Sequence, residues 1–325
     1  HPSSLLASLR AMKTTPHASY GGGVVALLLA CTFWGTTGMA ASFIPGINPI
    51  AIGASTMGIG GLILGLTALP GVWLTWKNIG AVPLVLLGAL GLAVYSTVFY
   101  IGMSWAGVAL GNVIALGSAP LFAGLIEWVV DKQRPSGRWL IATAITVAGG
   151  AMLVSGRNFG EDGGGIVRDQ NMVTLGIALA LLAGFAYALY TYMANKLMKP
   201  SVDRPQGIGH RPVISTIQLV SAVPLIVVLI ALVIADPSQF ANQPLAIPVM
   251  AYLVLFPTAV GHLLLAVGLG VMPASRAAVY TLFEPVVAVV MAVVVVGEVI
   301  APVGWIGLVV VLAGLLTLTT EVRSR

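Results

Sequence analysis

The sequence predicts an all-α integral membrane protein with ten transmembrane helices, arranged as two inverted five-helix repeats around a central cavity. Only 8% of the 325 residues are charged and 58% are hydrophobic, with a mean hydropathy of +1.01, whereas a soluble domain carries about 25% charged residues. Apolar runs of roughly 20 residues recur along the chain, which is the length that a helix needs to cross a hydrocarbon core of about 30 Å. Five such runs lie on each side of a polar, Gly-rich stretch near the midpoint.

The ten spans are placed by apolar runs that end at Gly, Pro or charged residues. The first five cover roughly 23–43, 49–70, 79–101, 107–130 and 138–155. The second five cover roughly 174–195, 213–235, 247–270, 274–296 and 303–320. The predicted organisation is therefore an amino-terminal segment (1–22), a first repeat (23–156), a periplasmic linker (157–173), a second repeat (174–320) and a short tail (321–325). The first run is of spanning length, so no cleaved signal peptide is expected.

The distribution of basic residues predicts the orientation in the membrane. With the amino end in the cytoplasm, only Arg157 and Arg168 fall on the outer side, which leaves 13 of the 15 Lys and Arg residues inside. The inner set is Arg10, Lys13, Lys77, Lys132, Arg134, Arg138, Lys196, Lys199, Arg204, Arg211, Arg276, Arg323 and Arg325. Such a bias predicts a multi-pass protein of the bacterial inner membrane with both termini cytoplasmic. It also accounts for the net charge of +5 without a nucleic-acid partner.

The two halves share a pattern of residues. Ala119-Pro120 corresponds to Glu284-Pro285 at an offset of 165 residues, and Ala148-Gly149 corresponds to Ala313-Gly314 at the same offset. Because each half has an odd number of spans, two related halves must cross the membrane in opposite orientations. A duplicated chain contains both halves of a pathway, which is compatible with a monomer.

The most specific pattern lies between Ser275 and Leu318. Its order of residues is Glu284-Pro285, an apolar run, Gly297-Glu298, a turn at Pro302, then Gly304-Trp305-Ile306-Gly307 and Ala313-Gly314. This order resembles the end of an EamA domain, the repeat unit of the drug/metabolite transporter superfamily, and among its members the bacterial aromatic amino acid exporters. The resemblance implies export of aromatic and other neutral amino acids from the cytoplasm by alternating access, without a cofactor. The first half departs from the pattern, with Ala119 and Lys132-Gln133 at the positions of the acids.

Polar and aromatic residues inside the spans predict a solute pathway, because a lipid-facing helix would carry Leu and Val there. Tyr95 and Phe99 lie four apart on the third span, and the sixth span repeats such a face around Tyr187. The predicted substrate-binding residues are Trp34, Tyr95, Tyr100, Asn112, Tyr187, Tyr190 and Glu284. Pro120 and Pro285 are predicted gating positions, since each proline frees a backbone carbonyl and favours a broken helix.

Several of these positions keep two interpretations. Glu284 either faces a hydrated cavity, where it meets the amino group of the substrate, or is a hydrogen-bonded acid that holds helices together. His262 either relays protons or is packed and hydrogen-bonded. Gln218 is equally ambiguous, and Tyr192 and Tyr252 fit interface anchors as well as a cavity lining.

Other function classes are disfavoured by what the spans contain. Phosphorylated substrates would need Lys or Arg within the pathway, and no span interior holds one. The first and sixth spans have no acid, which argues against the cation extrusion of the small multidrug pumps. Nucleotide-binding, zinc-hydrolase and serine-hydrolase motifs are missing, so a membrane enzyme is the weaker interpretation. One cysteine, Cys31, allows neither an internal disulfide nor a multi-cysteine metal site. Export of other small metabolites or drugs remains the alternative.

Overall fold

The computed structural model describes residues 19–44, 46–106, 108–155, 170–202, 204–296 and 301–319. Within these ranges the chain is helical, and an isolated bridge between Ser201 and Arg204 is the one extended pairing. The predicted linker (157–173) lies mostly outside the described residues. The Gly297-Glu298 break, the tail and most of the amino-terminal segment lie outside them as well.

The helices are numbered in chain order. The first seven are α1 (Tyr20–Gly35), α2 (Thr37–Ser42), α3 (Pro49–Thr67), α4 (Leu69–Lys77), α5 (Val82–Ala106), α6 (Val108–Asp131) and α7 (Gly137–Ser155). The remaining eight are α8 (Gln170–Met198), α9 (His210–Ala235), α10 (Ser238–Ala241), α11 (Ala246–Leu253), α12 (Gly261–Val271), α13 (Ala274–Thr281), α14 (Glu284–Met291) and α15 (Pro302–Thr319). A π-helical segment, Val254–Val260, joins α11 to α12, and another, Ala292–Val296, follows α14.

Eight helical segments of the described chain are long and apolar enough to cross a membrane. They are Tyr20–Ala41, Pro49–Thr67, Val82–Phe99, Ile114–Asp131, Gln170–Met198, His210–Ala235, Ala246–Val271 and Ala274–Val295. A shorter apolar helix covers Pro302–Gly314. The protein is therefore an all-helical, multi-pass membrane protein.

Prolines interrupt two of these segments, and the structure corrects one sequence expectation. Pro285 follows a turn at Leu282 and Phe283, so α13 and α14 are separate helices. Pro257 lies within the π-helical segment. Pro120, by contrast, lies inside the continuous helix α6, and the break expected there is wrong. Gly184 of α8 packs closely on the backbone of α6 at Ala115, and this contact supports the helix one turn before the proline.

Long helices pack in pairs that join the two halves of the chain. The most extensive pairs are α5 with α8, α7 with α15, α3 with α9, α6 with α8, and α1 with α12. Glycines set these close approaches, as small residues do between helices in membranes. A Cβ atom at Gly91 of α5 would lie 2.8 Å from the carbonyl oxygen of Ala186, and one at Gly61 of α3 would lie 2.5 Å from that of Gln218. The main core forms around α8, whose Tyr190 and Tyr192 are almost completely buried.

One end of the bundle is rich in basic residues and is called the basic end below. It is where α8 ends near Lys196 and α9 begins near Arg211. Arg204, in the connection between these helices, donates a hydrogen bond to the carbonyl of Gly80 at 3.1 Å. Arg211 donates one to the carbonyl of Thr67 at 3.2 Å. The basic residues thus tie connections of both halves together at one level of the bundle.

Candidate functional site

A chain of six aromatic rings crosses the middle of the bundle and links four helices. Neighbouring ring centroids lie 5.2 to 6.2 Å apart. In order, the rings are Phe99 and Tyr95 of α5, Tyr187 and Tyr190 of α8, His262 of α12 and Trp34 of α1. Helical spacing puts Tyr95 and Phe99 close together on α5, and Tyr187 and Tyr190 close together on α8. The packing of α5 on α8, of α8 on α12 and of α12 on α1 then brings the rings of the four helices together. This ring chain offers flat apolar surfaces inside a membrane protein.

Three polar side chains at the ring chain are buried without a hydrogen-bond partner. The hydroxyls of Tyr187 and Tyr190 and both amide atoms of Gln218 have no partner among the described residues. Gln218 and Tyr190 are completely buried, and Tyr187 is 6% exposed. Buried polar groups are normally paired because an unpaired one loses its water without compensation. These groups therefore have hydrogen-bonding capacity that the described protein does not use.

The carboxylate of Glu284 lies beside the ring chain, at the break in the ninth predicted span. Glu284 is the first residue of α14, is partly exposed, and neighbours Tyr187 and Cys31. No described residue forms a hydrogen bond or an ion pair with its carboxylate. An acid at membrane depth is costly unless it is paired or hydrated. The carboxylate thus lies at membrane depth without a compensating partner among the described residues.

Cys31 and Gly35 of α1 fit this break in the helix. Pro285 has no N–H group, so the carbonyl of Thr281 loses its helical donor. The Cys31 thiol lies 3.7 Å from that carbonyl oxygen and 3.7 Å from that of Tyr280. A Cβ atom at Gly35 would lie 2.9 Å from the Glu284 carbonyl oxygen. The small residues of α1 thus allow its backbone to contact the turn that positions Glu284.

Trp34 and His262 are held by the second irregular segment. The Trp34 indole N–H donates to the Pro257 carbonyl at 2.8 Å. The Thr258 hydroxyl donates to the Leu253 carbonyl at 3.1 Å, which replaces the N–H that Pro257 lacks. His262 Nδ1 lies 2.8 Å from the Thr258 carbonyl oxygen. Because a carbonyl only accepts, Nδ1 carries the proton, and Nε2 of the neutral ring is left as an acceptor.

Polar contacts join the helices at the basic end, and two of them connect the two halves of the chain. Glu127 of α6 accepts hydrogen bonds from the N–H of Ser275 at 3.1 Å and from its hydroxyl at 2.6 Å, so its carboxylate caps α13. Lys196 of α8 forms an ion pair with Asp131 of α6 at 3.1 Å. The Asn195 amide donates to the Leu269 and Met272 carbonyls at 2.6 and 2.9 Å. These contacts hold α6, α8, α12 and α13 together at the basic end.

The opposite end of the bundle holds an open cavity of about 690 Å³. Among its lining residues are Asn48, Trp105, Asp236 and Gln239, which lie between the first and second predicted spans and at the ends of α5 and α9. The Asn48 N–H donates to the Gln239 side-chain oxygen at 3.0 Å. The cavity thus lies at the opposite end from the basic residues, and a hydrogen bond between the two halves crosses it.

The structure brings together most of the residues predicted from the sequence. Trp34, Tyr95, Tyr187 and Tyr190 are four of the six rings, and Glu284 lies next to them. The side chains of Tyr100 and Asn112 lie outside the described residues, and Pro120 and Pro285 behave differently, as described above. Residues that the sequence left ambiguous or unnoticed are Gln218, His262 and Glu127. A single acid near the end of a span, as at Glu127, is the signal that could have marked the last of them.

No group of three metal-ligating side chains occurs among the described residues. The chemistry of the site is described by the groups that are present. It combines π surfaces, hydroxyl and amide groups, and one carboxylate.

Sequence and fold comparisons place the chain in a known family. A model of the EamA-like transporter family matches residues 21–155 and, a second time, residues 174–320. The chain belongs to the EamA-like transporter family. As a member of this family it is a multi-pass membrane transporter of the drug/metabolite superfamily.

Individual relatives agree with this family membership. The chain is 33% identical over 300 residues to YwfM, an uncharacterized transporter of Bacillus subtilis (strain 168), covering 92% of this chain and 94% of YwfM. It is 30% identical over 201 residues to sll1319, an uncharacterized transporter of Synechocystis sp., covering 61% and 54% of the two chains. A solved crystal structure shares the fold, with a TM-score of 0.71 and 16% identity over 94% of this chain and 99% of the other. Both named relatives are thus transporters by name, and the match to YwfM runs along nearly the whole of this chain.

Proposed function

We propose that this EamA-family transporter exports aromatic and other neutral amino acids from the cytoplasm by alternating access. The observation that carries the proposal is the ring chain with its unpaired polar groups and adjacent carboxylate. Apolar and aromatic side chains stack on the rings, and the hydroxyls of Tyr187 and Tyr190 with the Gln218 amide bind the polar part of the solute. Glu284 is placed to accept from an ammonium group. No span interior contains Lys or Arg, so a phosphorylated solute would lack a counter-charge.

The proposed architecture has ten transmembrane helices in two inverted repeats, 23–156 and 174–320. Contacts between α7 and α15 support it. A Cβ atom at Gly149 would lie 2.6 Å from Val311 N and 2.9 Å from the Gly307 carbonyl oxygen. One at Gly314 would lie 3.0 Å from Thr146 N and 3.2 Å from the Ala142 carbonyl oxygen.

These two sets of contacts are equivalent by position in the repeats. Each residue of the second repeat stands 165 positions after its counterpart in the first, at 142 and 307, 146 and 311, and 149 and 314. Later residues of α7 face earlier residues of α15, so the helices are antiparallel. Two equivalent helices that pack in this way are related by a two-fold axis perpendicular to them, and such an axis in the membrane plane inverts one repeat relative to the other.

A second pair of crossings supports the same symmetry. Gly102 of α5 approaches Ala180 of α8 near the open cavity, with a Cβ distance of 3.0 Å to the Ala180 nitrogen. Gly23 of α1 approaches Gly268 of α12 near the basic end, at 3.6 Å to its Cα atom. The third predicted span thus packs on the sixth as the eighth packs on the first. In two related five-helix repeats these are equivalent pairs of helices.

Single-cysteine labelling tests the proposed orientation. In a Cys31→Ala background we expect a membrane-impermeant maleimide to label Asn242→Cys, near the open cavity, in intact cells. Ser201→Cys, exposed at the basic end, should be labelled only in inside-out vesicles, because the basic end faces the cytoplasm. Labelling of both positions from the same side would contradict the inverted, even-numbered topology.

Transport by the purified protein tests the proposed function. Liposomes that contain the protein and unlabelled phenylalanine should accumulate labelled phenylalanine by exchange, and protein-free liposomes should not. Unlabelled leucine and tryptophan should compete, whereas a sugar phosphate should not. Failure of every neutral amino acid to exchange would refute the proposed substrate class.

Export of other small metabolites or drugs is the second candidate. The observation that favours it is the partner-free carboxylate of Glu284 beside aromatic faces, which also suits organic cations. A quaternary amine that exchanges in the same liposomes while phenylalanine does not would establish this second function instead.

A further inference from the structure

Gln218 of α9 has the most unusual environment of the buried polar residues. Its side chain is completely buried, and neither its amide nitrogen nor its amide oxygen has a partner among the described residues. The side chain faces the buried Tyr190 hydroxyl closely enough to interact with it, but the geometry of the two groups does not complete a hydrogen bond. A primary amide offers two donors as well as an acceptor, and a phenol adds one more donor. Donors for an anionic or carbonyl group are thus concentrated at one point of the ring chain.

The Ser215 hydroxyl, one turn earlier on α9, is also buried without a partner among the described residues, but other neighbouring polar side chains are bonded. The Ser221 hydroxyl, one turn further along α9, donates to the Gln218 carbonyl at 2.9 Å. The Thr191 hydroxyl, next to Tyr190, donates to the Tyr187 carbonyl at 3.0 Å. The Asn195 amide, 3% exposed, donates to the carbonyls of Leu269, in the last turn of α12, and of Met272, which follows that helix. The Asn195 amide therefore stabilises the packing of two helical segments, whereas the Gln218 amide forms no hydrogen bond with the described residues.

The sequence offers no cationic alternative for binding an anionic group. No span interior holds Lys or Arg, and Glu284 repels a carboxylate. A carboxylate that enters the bundle must exchange its water for neutral donors, and buried hydroxyl and amide groups are the donors that protein sites use for this purpose. The unpaired amide and phenol at Gln218 and Tyr190 are suited to this exchange.

We propose, on the basis of the amino-acid transport proposed above, that Gln218 is a specificity-determining residue that binds the carboxylate of the solute together with Tyr190. The amide N–H2 group and the phenol O–H donate to the two carboxylate oxygens. The side chain of the solute then lies along the neighbouring rings of Tyr187 and Tyr95. The aromatic rings select an apolar side chain, and Gln218 selects the acid group.

The test compares two ligands on purified full-length protein, by competition against labelled phenylalanine. Phenylalanine carries the carboxylate, and phenethylamine has the same ring and amine without it. Gln218→Met, which keeps the volume and removes the donors, should weaken phenylalanine binding by about tenfold or more, the usual effect of losing a hydrogen bond to a charged group. It should leave phenethylamine binding within about twofold, as expected when no hydrogen bond is lost. Ser221→Ala, whose hydroxyl is already used within α9, should change neither.

Thermal unfolding without solute is a second measurement, and it distinguishes a binding role of Gln218 from a purely structural one. Because the Gln218 amide is unpaired in the described structure, Gln218→Met should unfold at the same temperature as the wild type or at a higher one. Asn195→Ala should unfold at a lower temperature, since it removes two hydrogen bonds. A decrease for Gln218→Met as large as that for Asn195→Ala would overturn the assignment.

The outcomes separate this assignment from the proposed function. If the wild type binds phenylalanine and Gln218→Met weakens both ligands equally, or neither, the role of Gln218 is refuted and amino-acid transport stands. If the wild type binds no neutral amino acid in competition or in exchange, the proposed function and this inference both fail.

Discussion

Glu284→Gln is expected to lower the rate of amino-acid exchange at least about tenfold while the protein keeps its fold. The carboxylate has no protein partner among the described residues, so an amide of the same shape removes a charge without breaking a contact. A buried ammonium group that loses its charged acceptor loses roughly 1.5–3 kcal/mol or more of binding. The measurement is counterflow of labelled phenylalanine in liposomes, with thermal unfolding of the same preparations.

Glu127 provides the matched acid for this experiment. Its carboxylate accepts two hydrogen bonds from Ser275 at the start of α13. Glu127→Gln should therefore lower the free energy of unfolding by about 1–2 kcal/mol, because an amide replaces one of two acceptor oxygens and the charge at the helix terminus is lost. Unchanged exchange together with lower stability for Glu284→Gln would instead assign Glu284 to holding the helices together.

The helices of the bundle could be predicted from the sequence because the membrane imposes a simple rule. Long apolar runs must form helices there, since no other structure satisfies the backbone of a single segment in lipid. The run predicted at 49–70 is the helix Pro49–Thr67, and the run predicted at 213–235 lies within His210–Ala235. The start of α3 follows from local residues, because the Asn48 side chain caps the helix and Pro49 begins it.

The irregular segments could be predicted only in part. The sequence does not show which groups replace the hydrogen bond that a proline cannot donate. Glu284-Pro285 predicted a break, and the structure has one. Pro120 predicted another, but close packing of α8 on α6 keeps that helix continuous. The π-helical segment at Pro257 depends on the Thr258 hydroxyl and the Trp34 indole as substitute partners. Trp34 comes from a distant part of the chain, so no local pattern contains this information.

The candidate site shows the same division between local and distant information. Helical spacing places Tyr95 and Phe99 on one face and brings Tyr187 and Tyr190 close together on their helix, and these stripes were predicted. His262 joins them to Trp34 only because α12 packs on α1 through Gly23 and Gly268. That Gln218 lacks a partner is likewise a property of packing, since Asn195 has the same amide chemistry and is fully bonded.

Gly149→Ala is expected to destabilise the protein by about 1–3 kcal/mol, the usual effect of inserting a methyl group into a closely packed contact. The methyl group would lie 2.6 Å from the Val311 nitrogen and 2.9 Å from the Gly307 carbonyl oxygen. Both are backbone atoms of α15 and cannot rotate away, so the two helices must separate. The same loss of contact should lower the exchange rate, because the pairing of α7 with α15 is one of the most extensive contacts between the two proposed repeats. Unfolding of the purified protein in a denaturing detergent measures the change.

Two glycines make this prediction specific to the helix contact. Gly150, the next residue of α7, has no atom within 4 Å of an added Cβ, so Gly150→Ala should be neutral or slightly stabilising, as Ala is the better helix former. Gly314→Ala would meet the Thr146 nitrogen at 3.0 Å and the Ala142 carbonyl oxygen at 3.2 Å, the equivalent backbone of the other repeat. If α7 and α15 are related by a two-fold axis, the losses at Gly149 and Gly314 must be similar. A large loss at one and none at the other would mean that the two helices do not pack as equivalent partners, and the support for inverted repeats would disappear with it.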